Sequence, residues 1–354
     1  MSDKPISIKA TLMTAVRAIE LSSRRIAVVI DSNHHVLGTV TDGDIRRHIL
    51  SGGNLETVVS KIMNPSPIKV IEGSSKEYIK DLMRHNNVIA LPLIDKNGIF
   101  LRLIHLKDLE SQHKKNNELL DFSFAVIMAG GEGSRLRPIT KNIPKPMLKI
   151  GGVPLLQRQV ERLAKSGIKR LYISINYLSH IIEDYFGNGQ DYGIEIFYLR
   201  EEEKLGTAGA LSILPEKPSQ SIIVINGDIL TTFDFESFYS FHTTHKAKIT
   251  IASIDHKVNI PYGVIQSNGL TVKKLTEKPS KRFLCNAGIY ALSPEALEFI
   301  PKDKFSNMPD LINNCLSKKI PVAVFPIFEY WTDIGTIDDL ENARDFFEKS
   351  EIVK

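Results

Sequence analysis

Apolar runs and amphipathic stretches alternate along the second half of the chain. "FAVIMA" (124–129), "RLYISI" (170–175), "IEIFYL" (194–199) and "SIIVING" (221–227) are short apolar runs. Their length and composition predict strands, the first of them buried. Between them, "VPLLQRQVERLAKSG" (153–167), "SHIIEDYF" (179–186) and a segment from Thr207 carry helical spacing. Gly167 is the expected C-terminal cap of the first of these helices. Strand–helix alternation of this kind predicts an α/β fold with a mainly parallel sheet covered by helices on both faces. Ligands of such sheets sit beyond the carboxyl ends of the strands.

The first third has a different pattern, and it repeats. "AVRAIELSSRRIAVVIDSNHHVLGTVTDGDI" (Ala15–Ile45) aligns with "IKDLMRHNNVIALPLIDKNGIFLRLIHLKDL" (Ile79–Leu109). Each copy reads as an amphipathic helix, an apolar strand, a polar turn, a second strand and an acid followed by Ile or Leu. Asp31 matches Asp95 and Asp44 matches Asp108, both 64 residues apart (31 to 95, 44 to 108). A unit this small cannot bury its own sheet, so the copies are expected to pack together. The polar stretch "ESQHKKNNELLD" (Glu110–Asp121) reads as a linker, with a helical connector as the alternative. The expected organisation is residues 1–112, a linker at 113–121, and residues 122–354.

Composition narrows the class. The chain has 354 residues, 42% hydrophobic and 24% charged, a globular balance. A net charge of +4 is too small to argue for nucleic acid. No apolar run approaches the roughly 20 residues that span a bilayer, and "MSDKPISIKA" does not read as a secretory signal. The two cysteines, Cys285 and Cys315, are far apart and in no metal-type spacing; a disulfide framework is not expected, and a reducing cytoplasm is the expected location.

The candidate chemistry begins in "AVIMAGGEGSRLRPITKNIPKP" (Ala125–Pro146). Gly130, Gly131 and Gly133 let the backbone approach a ligand, and free N–H groups in such a turn make an anion-binding concavity. Arg135, Arg137, Lys141 and Lys145 add positive charge. The segment is neither a P-loop, since no GK[ST] follows, nor the dinucleotide fingerprint, since the glycines are spaced G-G-x-G.

"GGEGSRLRPIT…PKP" resembles the signature of sugar-1-phosphate nucleotidyltransferases. The resemblance continues through "REEEKLGTAGAL" (200–211), "VINGDIL" (224–230), "YGVI" (262–265), "TEKP" (276–279), "NAGIY" (286–290) and "WTDIGT" (331–336), covering about residues 122–345. It implies a Rossmann-like domain in which a sugar-1-phosphate oxygen attacks the α-phosphorus of a nucleoside triphosphate and pyrophosphate leaves. Carried over, Arg135 holds the triphosphate with the glycine-loop N–H groups, and Lys145 bridges the two reacting phosphates. Asp228 and Asp333 hold Mg²⁺. Glu201 and Gly206 contact the nucleotide. Gly263, Glu277, Lys278 and Asn286 contact the sugar and its phosphate.

A carboxylate at Glu201 suits the N1–H and N2–H₂ donors of guanine, where thymidylyl-type relatives carry an amide. The "LGTAG" form resembles guanylyltransferases, so GTP is the expected donor, with uridine, cytidine and thymidine triphosphates left open. Lys204 departs from that subfamily, where proline is usual. The first third resembles a tandem pair of CBS domains. In "GTVTDGDIRR" (38–47), Thr41 and Asp44 stand where that family binds nucleotide ribose or phosphate; the second copy has His105 and Asp108. One regulatory purine-nucleotide site is therefore expected, with a dimerisation module lacking a ligand as the alternative; a homo-oligomer is the expected assembly. A CBS pair ahead of such a transferase resembles the glucosamine-1-phosphate guanylyltransferases of legionaminic acid biosynthesis, with mannose-1-phosphate the alternative sugar. A catalytically degenerate, nucleotide-sensing subunit is the non-enzyme alternative.

Overall fold

The computed structural model describes residues 4–22, 26–86, 88, 90–109, 121–302, 304–327 and 329–349. The chain divides into two compact units, Met1–Asn116 and Asn117–Lys354. Apart from Asp121, the expected linker at 113–121 lies outside the described residues.

The first unit contains β1 (Ile6–Ser7), α1 (Leu12–Ser22), β2 (Ile26–Ile30), β3 (Val36–Thr41) and α2 (Asp42–Leu50). Its second copy contains β4 (Val70–Ile71), α3 (Lys76–His85), β5 (Ala90–Ile94), β6 (Phe100–His105) and α4 (Leu106–Leu109). Each copy forms a three-stranded sheet in chain order, β1-β2-β3 and β4-β5-β6. The repeat persists in detail. Both hairpins shift register at matching positions, Val29/Ile30 and Leu93/Ile94. Asp31 accepts from the His35 N–H and Asp95 from the Ile99 N–H, closing equivalent turns. The turns also meet each other: Phe100 N–H donates to His34 O, and Val36 N–H to Gly98 O. Ile26, Val28 and Val36 of the first copy share one core cluster with Ala90 and Leu103 of the second. Packing between copies thus supplies the core that neither can build alone.

The second unit begins with β7 (Ala125–Met128), the short hairpin β8 (Lys149–Ile150) and β9 (Val153–Pro154), then α5 (Leu155–Lys165), β10 (Arg170–Ile175), α6 (Ser179–Phe186), β11 (Glu195–Arg200), α7 (Gly206–Gly209), β12 (Ile222–Asn226), β13 (Ile229–Thr231) and α8 (Phe235–Thr244). β14 (Ile249–Asn259), β15 (Val264–Asn268), β16 (Thr271–Thr276), β17 (Ser280–Leu292), α9 (Pro294–Leu297), α10 (Met308–Ser317), β18 (Val322–Ile327), β19 (Trp331–Asp333) and α11 (Ile337–Lys349) follow. The main sheet has seven strands in the order β11-β10-β7-β12-β17-β14-β18. β11, β10, β7 and β12 run parallel; β17 is antiparallel to β12 and β14. The sheet is therefore mixed and mostly parallel, as the alternation predicts.

The apolar runs explain why both faces are covered. Ala125 and Ile127 of β7, Leu171 and Ile173 of β10, and Ile223 and Ile225 of β12 belong to one core cluster. Val126, Tyr172, Ile222 and Val224, pointing the other way, belong to a second. Successive side chains alternate faces, so a strand buried on both sides is apolar throughout. Two helix boundaries differ from expectation. Val153 and Pro154 pair into β9, so α5 starts at Leu155; its other end is as expected, with Gly167 left-handed (φ +94°) just beyond Ser166 and its N–H donating to Ala164 O. The segment from Thr207 makes only the four-residue α7 and a 3₁₀ turn at Ala210–Ile213, because glycines weaken helix continuation.

One buried histidine gives the unit a pH signature. His242 of α8 lies between Ser221 Oγ at 2.9 Å and Thr250 Oγ1 at 2.7 Å. Burial, aided by the Lys248 charge, pulls its pKa down from 6.5 to about 4. The folded state thus binds fewer protons than the unfolded chain between pH 6.5 and 4, and stability falls as pH falls through that window. The expected loss is about 2 kcal/mol between pH 7.5 and pH 5. Urea midpoints at the two pH values measure it. His242→Gln should lose most of this slope; an unchanged slope would assign the effect to other groups.

Candidate active site

Strand register assembles the site before any side chain is considered. Met128 of β7 pairs with Ser174 of β10 and with Asn226 of β12. The residues that follow, Ala129–Gly130, Asn176 and Gly227–Asp228, therefore emerge at one edge of the sheet. β11 joins the row, since Ile175 pairs with Arg200 and Glu201 comes next. Residues 25 to 98 positions apart (176 to 201, 130 to 176, 129 to 227) are thereby brought to the carboxyl ends of neighbouring parallel strands.

The glycine loop is closely fitted. Gly133 has φ +60°, and a Cβ there would lie 2.9 Å from Lys145 Cβ and 3.1 Å from Thr140 Cγ2. Only glycine satisfies both the left-handed backbone and that contact. Thr140 Oγ1 donates to Gly133 O at 2.8 Å, tying the loop to the segment that carries Lys145. A Cβ on Gly130 would stand 3.1 Å from Glu201 Oε1, whereas one on Gly131 would meet open space. The loop thus has a packed side, against Lys145 and Glu201, and an open side.

Lys145 stands at the N-terminal position of a 3₁₀ turn that starts after Pro144 and includes Pro146. Its side chain is 11% exposed, and its Nζ lies 2.6 Å from Asp228 Oδ2 and 3.5 Å from Asp333 Oδ1. The two aspartates meet through a small separate sheet. β13 pairs antiparallel with β19, placing Ile229 opposite Asp333, and Ile334 N–H donates to Asp228 O. Asp333 is held above the usual carboxylate range by burial and by the nearby Asp228 charge, which Lys145 and Arg135 oppose. Its Oδ1 is buried and, among the described residues, has no hydrogen-bond partner. Arg135 is exposed and reaches the same place: a Cβ on Gly335 would lie 3.7 Å from Asp333 Oδ2 and 3.9 Å from Arg135 Nη1.

Glu201 lies on the far side of the loop. Its Oε1 accepts from the buried Ser174 hydroxyl, and its Oε2 accepts from Leu205 N–H at 2.9 Å. Asn176 Nδ2 donates to Glu201 O at 2.8 Å. Carboxylate oxygens accept more than one hydrogen bond each, so both retain acceptor capacity. Gly206 has φ +78° and abuts Ser306 O and Asn307 Oδ1, so its missing side chain serves packing against that segment.

Of the sugar candidates, Gly263, Glu277 and Lys278 flank the β15–β16 hairpin, and Asn286 lies on β17. Val264 pairs with Thr276, and a Cβ on Gly263 would lie 3.0 Å from Glu277 Oε2, so these two stand side by side. Lys278 adopts a left-handed φ of +42° and is exposed, as is Glu277. Asn286 donates to the Tyr290 hydroxyl at 2.7 Å and accepts from Gly288 N–H at 2.9 Å.

In the first unit, Thr41 and Asp44 are adjacent but occupied with each other. Thr41 Oγ1 donates to Asp44 Oδ2 at 2.6 Å, Thr41 N–H donates to the same oxygen at 2.8 Å, and Asp44 N–H returns a bond to Thr41 Oγ1. This is a capping box at the start of α2. In the second copy His105 N–H donates to Asp108 at 3.3 Å, which retains half of the motif.

Two further residues, Gln159 and Ser174, position the site. Gln159 of α5 is buried, and its Nε2 donates to Asn226 O at 3.0 Å and Ile229 O at 2.7 Å. It thereby clamps the turn that presents Asp228. A polar residue on the apolar face of a predicted helix was the available signal. Ser174 offered none, since a lone serine in a strand is ordinary.

Metal-ligand clusters of three or more His, Cys, Asp or Glu side chains are absent among the described residues. No helix among those residues is long and apolar enough to cross a membrane.

Residues 1–51 and 59–111 match the CBS domain model. A mannose-1-phosphate guanyltransferase of Saccharomyces cerevisiae is 32% identical over 226 residues, 60% of this chain and 62% of that protein. A mannose-1-phosphate guanylyltransferase of Mycobacterium tuberculosis is 29% identical over 225 residues, 61% of this chain and 62% of that one. The chain thus spans about three-fifths of the length of these curated relatives. A Bacillus anthracis structure described as a glucose-1-phosphate thymidylyltransferase superposes with a TM-score of 0.53 at 25% identity, covering 64% of this chain and 96% of that one. The nucleotidyl transferase family model matches residues 124–350, and the chain belongs to that family.

Proposed function

We propose that this chain transfers GMP from GTP to a sugar-1-phosphate, releasing pyrophosphate. The observation that carries the reading is the convergence of Lys145, Asp228, Asp333 and Arg135 beside a glycine loop whose other flank packs on Glu201. The attacking phosphate oxygen is already anionic, so no strong base is required. The P–O bond to the α-phosphorus forms as the bond to pyrophosphate breaks. The barrier lies in bringing two polyanions together, and positioning with charge neutralisation lowers it.

The glycine-loop N–H groups and the forked Arg135 side chain hold the triphosphate and the departing pyrophosphate. Lys145 supplies a point charge where the two phosphates meet. The buried Oδ1 of Asp333, which makes no hydrogen bond among the described residues, stands beside Asp228 and suits a magnesium ion, which takes one or two carboxylates plus phosphate oxygens. When bound, the ion neutralises charge on the transferring phosphates. Gly263, Glu277, Lys278 and Asn286 are the groups for the sugar-1-phosphate. The tandem CBS pair ahead of the transferase favours glucosamine 1-phosphate. Mannose 1-phosphate is the second reading, favoured by the similarity to the yeast protein.

Glu201 is the proposed guanine acceptor. Initial rates of pyrophosphate release with four triphosphates against several sugar-1-phosphates test the reading. GTP should dominate. Glu201→Gln replaces an acceptor oxygen with a donor, mismatching guanine and one of the groups that Ser174 and Leu205 now supply. An unmatched buried group costs about 1–3 kcal/mol, so the preference for GTP over UTP should fall roughly 10- to 100-fold. Equal use of UTP or dTTP by the wild-type protein would remove the role given to Glu201.

A further inference from the structure

The glycine loop contains an anion where an anion must bind. From Gly130 to Lys145 the only acidic residue is Glu132, set between Gly131 and Gly133. Its Oε1 accepts a hydrogen bond from Lys204 Nζ, and Arg137 Nη2 stands 3.6 Å from its Oε2. The carboxyl is held below the usual range, first by the Lys204 hydrogen bond and charge and then by Arg137, so it is ionised at neutral pH. Lys204 comes from the other side of the site, immediately before Leu205, whose N–H holds Glu201 Oε2 at 2.9 Å. One ion pair therefore joins the phosphate-facing loop to the loop that presents Glu201.

We propose that Glu132 and Lys204 form a positioning clasp for the nucleotide: Lys204 neutralises and holds aside the one acidic side chain of the phosphate loop, and in doing so draws the base-facing loop against it. The inference rests on the reading of this loop as a triphosphate site, but not on the identity of the base. Both side chains are substantially exposed, 36% for Glu132 and 65% for Lys204. Exposed pairs add little to folding stability. Their effect belongs in nucleotide affinity, where an uncompensated carboxylate would repel a triphosphate through partly screened solvent.

A double-variant cycle tests the clasp. Binding of GTP with Mg²⁺ is measured by calorimetry, and the KM for GTP by pyrophosphate release. If another triphosphate is the one the wild-type protein uses, that one is substituted. Lys204→Ala should raise Kd and KM roughly tenfold with a much smaller change in kcat, and the penalty should shrink with added salt. Its thermal midpoint should stay at the wild-type value. Glu132→Gln combined with Lys204→Ala should return affinity to within about twofold of wild type, because the charge that Lys204 offsets is gone. Failure of this rescue would assign Lys204 to direct phosphate contact and overturn the clasp. Unchanged affinity in Lys204→Ala would overturn it as well, leaving a surface pair without a role. A wild-type protein that binds none of the four triphosphates would instead defeat the nucleotidyl-transfer reading, and the clasp with it.

Discussion

Asp228→Asn is expected to lower kcat about a thousandfold while the protein stays folded. Asp228 follows β12 at the carboxyl edge of the sheet, and its carboxylate lies 2.6 Å from Lys145 Nζ. Asparagine keeps the shape and removes the charge. The loss of one anionic metal ligand commonly removes several kcal/mol of transition-state stabilisation, and each 1.4 kcal/mol is a tenfold change in rate. Fold retention follows from the surroundings. Gln159 still holds Asn226 O and Ile229 O, and Ile334 N–H still bonds the backbone carbonyl of residue 228. Pyrophosphate release at saturating substrates and limiting magnesium, alongside circular dichroism, gives the answer. A rate within tenfold of wild type would remove Asp228 from the metal role.

Lys145→Ala is expected to reduce kcat by two to three orders of magnitude, with a smaller change in KM. Removing one preorganised charge aimed at the transition state commonly costs roughly 100- to 1,000-fold. The split between the constants follows because the charge contacts tighten as the phosphates approach. A second consequence is specific to this site. Lys145 lowers the Asp333 pKa against burial and the Asp228 charge. Without Lys145 the Asp333 carboxyl moves higher, so the acid limb of the residual activity should shift to higher pH. The pH–rate profile of the variant measures this. A pure KM effect with an unmoved acid limb would place Lys145 in ground-state binding alone.

The Thr41–Asp44 contacts bear on how the first unit is read. The same hydroxyl and carboxylate that the CBS resemblance assigns to a nucleotide already satisfy the N-terminus of α2. A ribose that recruited them would exchange these capping bonds for its own, and an N-cap is worth roughly 1 kcal/mol. The sequence shows the residue types but not which of the two tasks they perform in the folded chain.

That distinction runs through the whole molecule. The amino-acid pattern alone marks β7 and β12, because burial on both faces makes these strands apolar throughout. It determined the repeat, since matching turns need matching residues such as Asp31 and Asp95. It determined the glycine loop, because positive φ and close approach at Gly133 leave one residue type. These are local requirements, written within a few residues of where they act. That Asp228 and Asp333 flank one lysine is a property of the folded chain, since it depends on β13 pairing with β19 across 104 positions (229 to 333). So are the bracing of the Asp228 turn by Gln159 and the reach of Lys204 to Glu132. Hydrophobic periodicity sets which face of an element is buried. The partners of a polar side chain are set by strand order, register and helix placement summed over the fold, and those follow from the packing of all the elements together.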